Sequence, residues 1–124
     1  MSLYRQEIIE HWRFPRHKGT MKDADAQGEA ANSLCGDDLI LYLKLDTQSG
    51  ILQNAMFEGE GCALMRASAD ILCDYIIGKE TEDLSAFSAN DFLKLYGEPP
   101  TPSRLKCVLL PYEALKRASV FPLS

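Results

Sequence analysis

Long apolar runs are missing from this chain: no stretch of its 124 residues approaches the roughly twenty apolar residues that a membrane-spanning helix needs. Residues 1–12 interleave Arg5, Glu7 and Glu10 with apolar positions, so they lack the apolar core of a signal peptide, and the sequence predicts a cytoplasmic protein. Histidine occurs only as His11 and His17, and there is no Ser-His-Asp order, HExxH pair or P-loop, which leaves hydrolase and nucleotide-binding functions without machinery. Positive charge is also scarce. With 13 Lys and Arg against 18 Asp and Glu the formal net charge is -5, which disfavours nucleic acid and anionic membranes as partners. The four cysteines show no short regular framework, and in a reducing cytosol they read as metal ligands, reactive thiols or core residues rather than disulfides.

What is present suits one globular domain over residues 1–124, since 46% of the residues are hydrophobic. Tyr4, Ile8 and Trp12 recur at helical spacing, and Pro15 closes that helix because it cannot continue the hydrogen-bond ladder. Residues 28–34 form a short candidate edge strand. Leu39, Leu41, Leu43 and Leu45 alternate with Ile40, Tyr42 and Lys44, a strand with one buried face, and the permissive residues 47–50 turn the chain into a second alternating run from Ile51 to Phe57. An antiparallel meander is the economical reading. The period then becomes helical over residues 63–77, with Gly78 as terminator; a short helix is expected over 91–96 and a last helix from Pro111 through Ala118, after the proline run 99–102.

Three cysteines stand beside residues that make sulfur reactive. In Cys35-Gly36-Asp37 the glycine permits a tight turn, so a thiolate and a carboxylate two residues apart can face one ion; taken alone, the tripeptide is equally a turn acid beside a buried cysteine. Cys62 lies at the entry to the central helix, where unpaired N–H groups and the helix dipole favour a thiolate. The glycines before it are no dinucleotide fingerprint, because the third glycine would fall at Leu64. Cys107 follows Arg104 and Lys106, cations that favour a thiolate, in a segment between Pro102 and Pro111 expected to be held but not rigid; a buried cysteine beside Val108, Leu109 and Leu110 is the competing reading.

Cys73 serves as the control. It follows Cys62 by eleven residues, three helical turns or about 16 Å, whereas zinc–thiolate bonds are only about 2.3 Å, so one ion cannot hold both. This leaves Cys35, Cys62 and Cys107, with Asp37 as fourth ligand, and Cys73 as a core residue. His11 is expected on the outer face of the first helix and His17 in a polar loop, both as surface residues, and the remaining acidic residues as a solvated face.

The motifs Phe14-Pro15-Arg16, Asn32-Ser33-Leu34-Cys35-Gly36-Asp37, Phe57-Glu58-Gly59-Glu60-Gly61-Cys62-Ala63, Ala67-Ser68, Gly78-Lys79 and Arg104-Leu105-Lys106-Cys107 together resemble the U-type iron–sulfur cluster assembly scaffolds, the family of IscU, SufU and the NifU N-terminal domain. The resemblance implies a compact α+β domain with a three-stranded antiparallel sheet covered by helices, with Cys35, Asp37, Cys62 and Cys107 as ligands of a transient 2Fe-2S cluster. It implies sulfur delivery as persulfide from a cysteine desulfurase, separately supplied iron, and cluster transfer to apo-proteins. Cys107 and Cys35 are then the candidate persulfide acceptors. Three thiolates with one harder carboxylate suit a cargo that must be released.

Two features depart from the IscU pattern. Lys106 stands where IscU-type scaffolds carry histidine before the last cysteine, a SufU-like trait, yet 45 positions from Cys62 to Cys107 are too few for the insertion typical of SufU. The chaperone-binding Leu-Pro-Pro-Val-Lys of IscU-type proteins aligns with Pro100-Thr101-Pro102-Ser103-Arg104, so weak or absent recognition by a specialised Hsp70-type chaperone is expected. Two alternatives use the same ligands: a zinc-bound sulfur acceptor that relays persulfide, and a structural zinc module. Stable electron transfer is disfavoured, since ferredoxin-like cysteine spacings are absent.

Overall fold

A computed structural model describes residues 5–32, 36–97 and 100–118. Alternation over Leu39 to Leu45 does what period-two patterning dictates: it makes the central strand β2 (Asp37–Leu45), whose Leu39, Leu41 and Leu43 are buried. Strands β1 (Ala26–Asn32) and β3 (Leu52–Glu58) flank it in the order β1-β2-β3, both antiparallel, with Ala30 opposite Leu39 and Leu41 opposite Phe57. The expected three-stranded sheet under helices is therefore the observed one. β1 begins two residues before the expected strand, and Ser33 and Leu34 of that expectation lie outside the described residues.

Before the sheet comes helix α1 (Arg5–Arg13); after it come α2 (Ala63–Ile76), α3 (Thr81–Ser85), α4 (Ala89–Tyr96) and α5 (Pro102–Arg117). The sheet edge at β3 is sealed by the segment after α1, where Gly19 N–H donates to Phe57 O and Phe57 N–H to His17 O. α2 and α5 lie against the sheet and each other, so that Leu41, Leu43, Phe57, Met65, Leu72, Val108 and Leu115 share one core. α3 was not expected; its five residues are too few to carry a period. α4 starts two residues before the expected boundary because Ser88 caps it: its hydroxyl accepts from Asp91 N–H while the Asp91 carboxylate accepts from Ser88 N–H.

The last helix departs most from expectation. Pro102, not Pro111, is its first residue, and Pro111 lies inside it, so Cys107 belongs to a helix rather than to a loose segment between prolines. Proline at the first helical position loses nothing, since that N–H would be unpaired anyway; the hydrophobic residues beyond Cys107 then carry the helix through Pro111 by burial.

Both histidines also depart from expectation. His11 faces α2, its Nδ1 2.7 Å from Asp70 Oδ2, and His17 places Nε2 2.6 Å from Asp74 Oδ1 while its backbone N–H donates to Asp70 Oδ1. Asp70 is fully buried, so it is an exception to the solvated acidic face and must have partners; the two histidines supply them. Among the described residues no helix is long and apolar enough to cross a membrane.

α5 meets β1 where glycine leaves room: a Cβ on Gly28 would stand 1.9 Å from the carbonyl oxygen of Ala114. Gly28→Ala forces helix and strand apart, and a loss of about 1–3 kcal/mol is expected, measured as a lower midpoint in urea unfolding followed by circular dichroism.

Candidate metal centre

Three separate elements bring side chains to one point. Asp37 opens β2, Cys62 occupies the N-cap of α2, and Cys107 lies in the second turn of α5. One ligand atom from each, two sulfurs and a carboxylate oxygen, lie within 4.8 Å of one another. Around a single tetrahedral zinc, sulfurs at about 2.3 Å from the ion stand roughly 3.8 Å apart, so these side chains need to close by only about an ångström.

Backbone bonds fix this arrangement. Asp38 N–H donates to Glu60 O and Glu60 N–H to the Asp38 carboxylate, pinning the 59–61 turn to the start of β2. Cys62 has the extended backbone of an N-cap, and its side chain makes no capping hydrogen bond. Its N–H instead donates to Asp37 Oδ1 at 3.1 Å. The turn that precedes Asp37 requires glycine, since Gly36 has φ +72°. Cys35 itself lies outside the described residues.

Asp37 is only 2% exposed, which overturns the solvent-facing turn acid that the tripeptide alone permitted. Its Oδ2 is buried and has no hydrogen-bond partner among the described residues. A buried carboxylate with an unpartnered oxygen is costly unless a cation completes it, and the donor set of this cluster, soft sulfur with one oxygen, fits zinc or iron. Cys107 is 1% exposed, and Cys62 is half-buried.

Cys73 is fully buried in the core and outside this cluster, as helix geometry required. Burial, with Asp70 and Asp74 nearby, pushes its thiol well above the ordinary range, so it is a poor nucleophile. Arg104 and Lys106 are exposed while Cys107 points inward. Sequence reasoning overlooked Asp38 and gave Ser68, noted only as part of a motif, no role. Asp38 is an outward strand residue whose role depends on the 59–61 turn, while Ser68 is a buried hydroxyl on the apolar face of α2, and an interruption of an apolar track is the signal that could have found it.

A three-stranded α+β domain with a Cys/Asp cluster spread over a strand start, a helix entry and a second helix defines a class of small metal-site proteins. Residues 3–121 match the family described as the NifU-like N terminal domain, and the chain belongs to that family. It is 34% identical to the zinc-dependent sulfurtransferase SufU of Bacillus subtilis (strain 168), over 94% of this chain and 88% of that one. It is 29% identical to the iron-sulfur cluster assembly scaffold protein IscU of Thermotoga maritima, over 94% and 92%. The crystal structure of FiSufU, from the SUF system of Fervidobacterium islandicum AW-1, superposes with a TM-score of 0.76 at 26% identity, covering 91% of this chain and 93% of that one.

Cys73→Ser should leave metal stoichiometry unchanged and lower stability by about 1–3 kcal/mol through a buried hydroxyl, whereas Cys62→Ser should lose metal. Metal analysis of the purified variants, together with urea unfolding, checks both.

Proposed function

We propose that this protein is a scaffold on which a labile 2Fe-2S cluster is built from iron and desulfurase-derived sulfur and then passed to apo-proteins. The observation that carries the reading is the convergence of Asp37, Cys62 and Cys107, with Asp37 Oδ2 buried and without a hydrogen-bond partner among the described residues, in a chain of the NifU N-terminal family. Cys35 completes the ligand set in this reading. Three thiolates hold the cluster; the carboxylate is the harder and more exchangeable ligand, which gives the site a point of release.

Sulfur enters by exchange. A thiolate of Cys107 or Cys35 attacks the outer sulfur of the desulfurase persulfide; the new sulfur–sulfur bond forms as the old one breaks, and the desulfurase cysteine leaves as thiolate, so no external oxidant is consumed. A cysteine desulfurase and cluster-accepting apo-proteins are the partners this chemistry needs.

A second reading has a specific observation behind it. The relative at 34% identity is a zinc-dependent sulfurtransferase, and Lys106 occupies the position of the IscU histidine. In that reading Cys35, Asp37, Cys62 and Cys107 hold zinc, whose role is to keep the thiols deprotonated and placed, and sulfur is relayed without cluster assembly.

Anaerobic reconstitution with iron, cysteine and a desulfurase, followed by visible absorption and transfer to an apo-ferredoxin, separates the readings. Cluster transfer is expected; persulfide accumulation with no transferable cluster would establish the relay instead. In the same assay Asp37→Ala should lengthen the lifetime of the cluster severalfold, and a shortened lifetime would remove Asp37 from the release step. Chelation should leave most of the helical circular dichroism, because the core is built mainly from apolar side chains of the sheet and helices; a cooperative loss would point to a purely structural zinc module.

A further inference from the structure

We propose that Ser68 is a positioning residue for Cys107, a latch whose hydrogen bond to the Val108 carbonyl governs how readily the Cys107 thiol leaves the site to take sulfur. The proposal rests on the sulfur-handling reading above for its purpose, though not for its geometry.

The need for such a latch follows from burial. Cys107 is 1% exposed, so its sulfur meets a persulfide on another protein only after a local movement that uncovers it. α5 is built unevenly for that movement. Residues 101–106 are all exposed, and the N-cap Thr101 makes no side-chain capping bond. Beyond Val108 the helix is anchored: Leu110, Ala114 and Leu115 are in the core, and Lys116 Nζ donates to the carbonyls of Leu84 and Ser85. Segments with few buried contacts open at lower cost than the anchored elements beside them.

Pro111 marks the boundary. It has no N–H to offer the carbonyl four residues earlier, that of Cys107, and its ring crowds the same peptide unit, so the helical rung between positions 107 and 111 cannot form. One peptide further on, the Val108 carbonyl accepts a hydrogen bond from Ser68 Oγ at 2.7 Å. Ser68 is fully buried on α2, six residues after Cys62. A serine inside a helix commonly turns its hydroxyl back to its own preceding turn; here it reaches across to α5 instead. The bond thus ties the helix that Cys62 caps to the helix that carries Cys107, at the place where α5 is weakest. With the latch closed, Cys107 Sγ stays beside Asp37 and Cys62; with it open, residues 102–108 can tilt outward about the 108–109 peptide, which the missing 107–111 rung would have spanned.

The test reads the alkylation rate of each cysteine in the full chain by iodoacetamide labelling and peptide mass spectrometry, in metal-free and cobalt(II)-loaded protein. Ser68→Ala should raise the Cys107 rate by about five- to tenfold, the worth of one buried hydrogen bond, and should weaken the thiolate-to-cobalt absorption. Ser68→Thr, which keeps the hydroxyl, should restore both. Pro111→Ala supplies the missing N–H and should slow Cys107. A wild-type Cys107 rate in Ser68→Ala would overturn the latch. So would equal acceleration of Cys62 and Cys107, which means general loosening, or an unslowed Cys107 in Pro111→Ala. Absence of cobalt binding by the wild type would refute the metal-site reading alone, because the metal-free rates still decide the latch.

Discussion

A carboxylate almost sealed from solvent, with one oxygen on the N–H of Cys62 and the other without a hydrogen-bond partner among the described residues, is the constraint around which this protein is arranged. Burying a carboxylate is expensive unless its lone pairs are met. The start of β2 cannot move away from α2 without breaking the first contact, and the second oxygen is left for a cation. The Asp38–Glu60 pairing, the left-handed turn at Gly36 and the N-cap placement of Cys62 all serve to hold Asp37 where it meets two sulfurs.

Much of this was legible in the sequence, and the reasons differ by element. β2 and β3 were readable because one buried face imposes strict alternation on Leu39 to Leu45 and on Ile51 to Phe57. α2 was readable because fourteen residues give the helical period several turns to repeat. Cys73 could be excluded by rise per residue alone, and Asp37 could be promoted by that exclusion. The particular convergence of Asp37 with Cys62 and Cys107 was not calculable from spacing, since it depends on how α5 packs across α2.

The misreadings share a physical origin. Pro111 looks like a helix start because proline inside a helix removes a rung and crowds the preceding turn; here the core contacts of Val108, Leu110, Ala114 and Leu115 outweigh that local preference. His11 and His17 look like surface residues because nothing local reveals that Asp70, more than fifty residues away in sequence, is buried and needs them. Pairing between distant polar groups leaves no periodic trace, whereas burial of an apolar face does.

The seclusion of Cys73 bears on the fidelity of sulfur traffic. A protein that accepts persulfide sulfur is exposed to scrambling, in which the transferred atom migrates to any thiolate within reach. Cys73 lies on the same helix that Cys62 caps, yet it is closed in the core, and burial together with Asp70 and Asp74 keeps its thiol protonated. Under the proposed function, the carboxylates that anchor α1 and the following segment therefore have a second effect: they add negative charge to what burial already does, and the fourth sulfur is silenced as a competing destination.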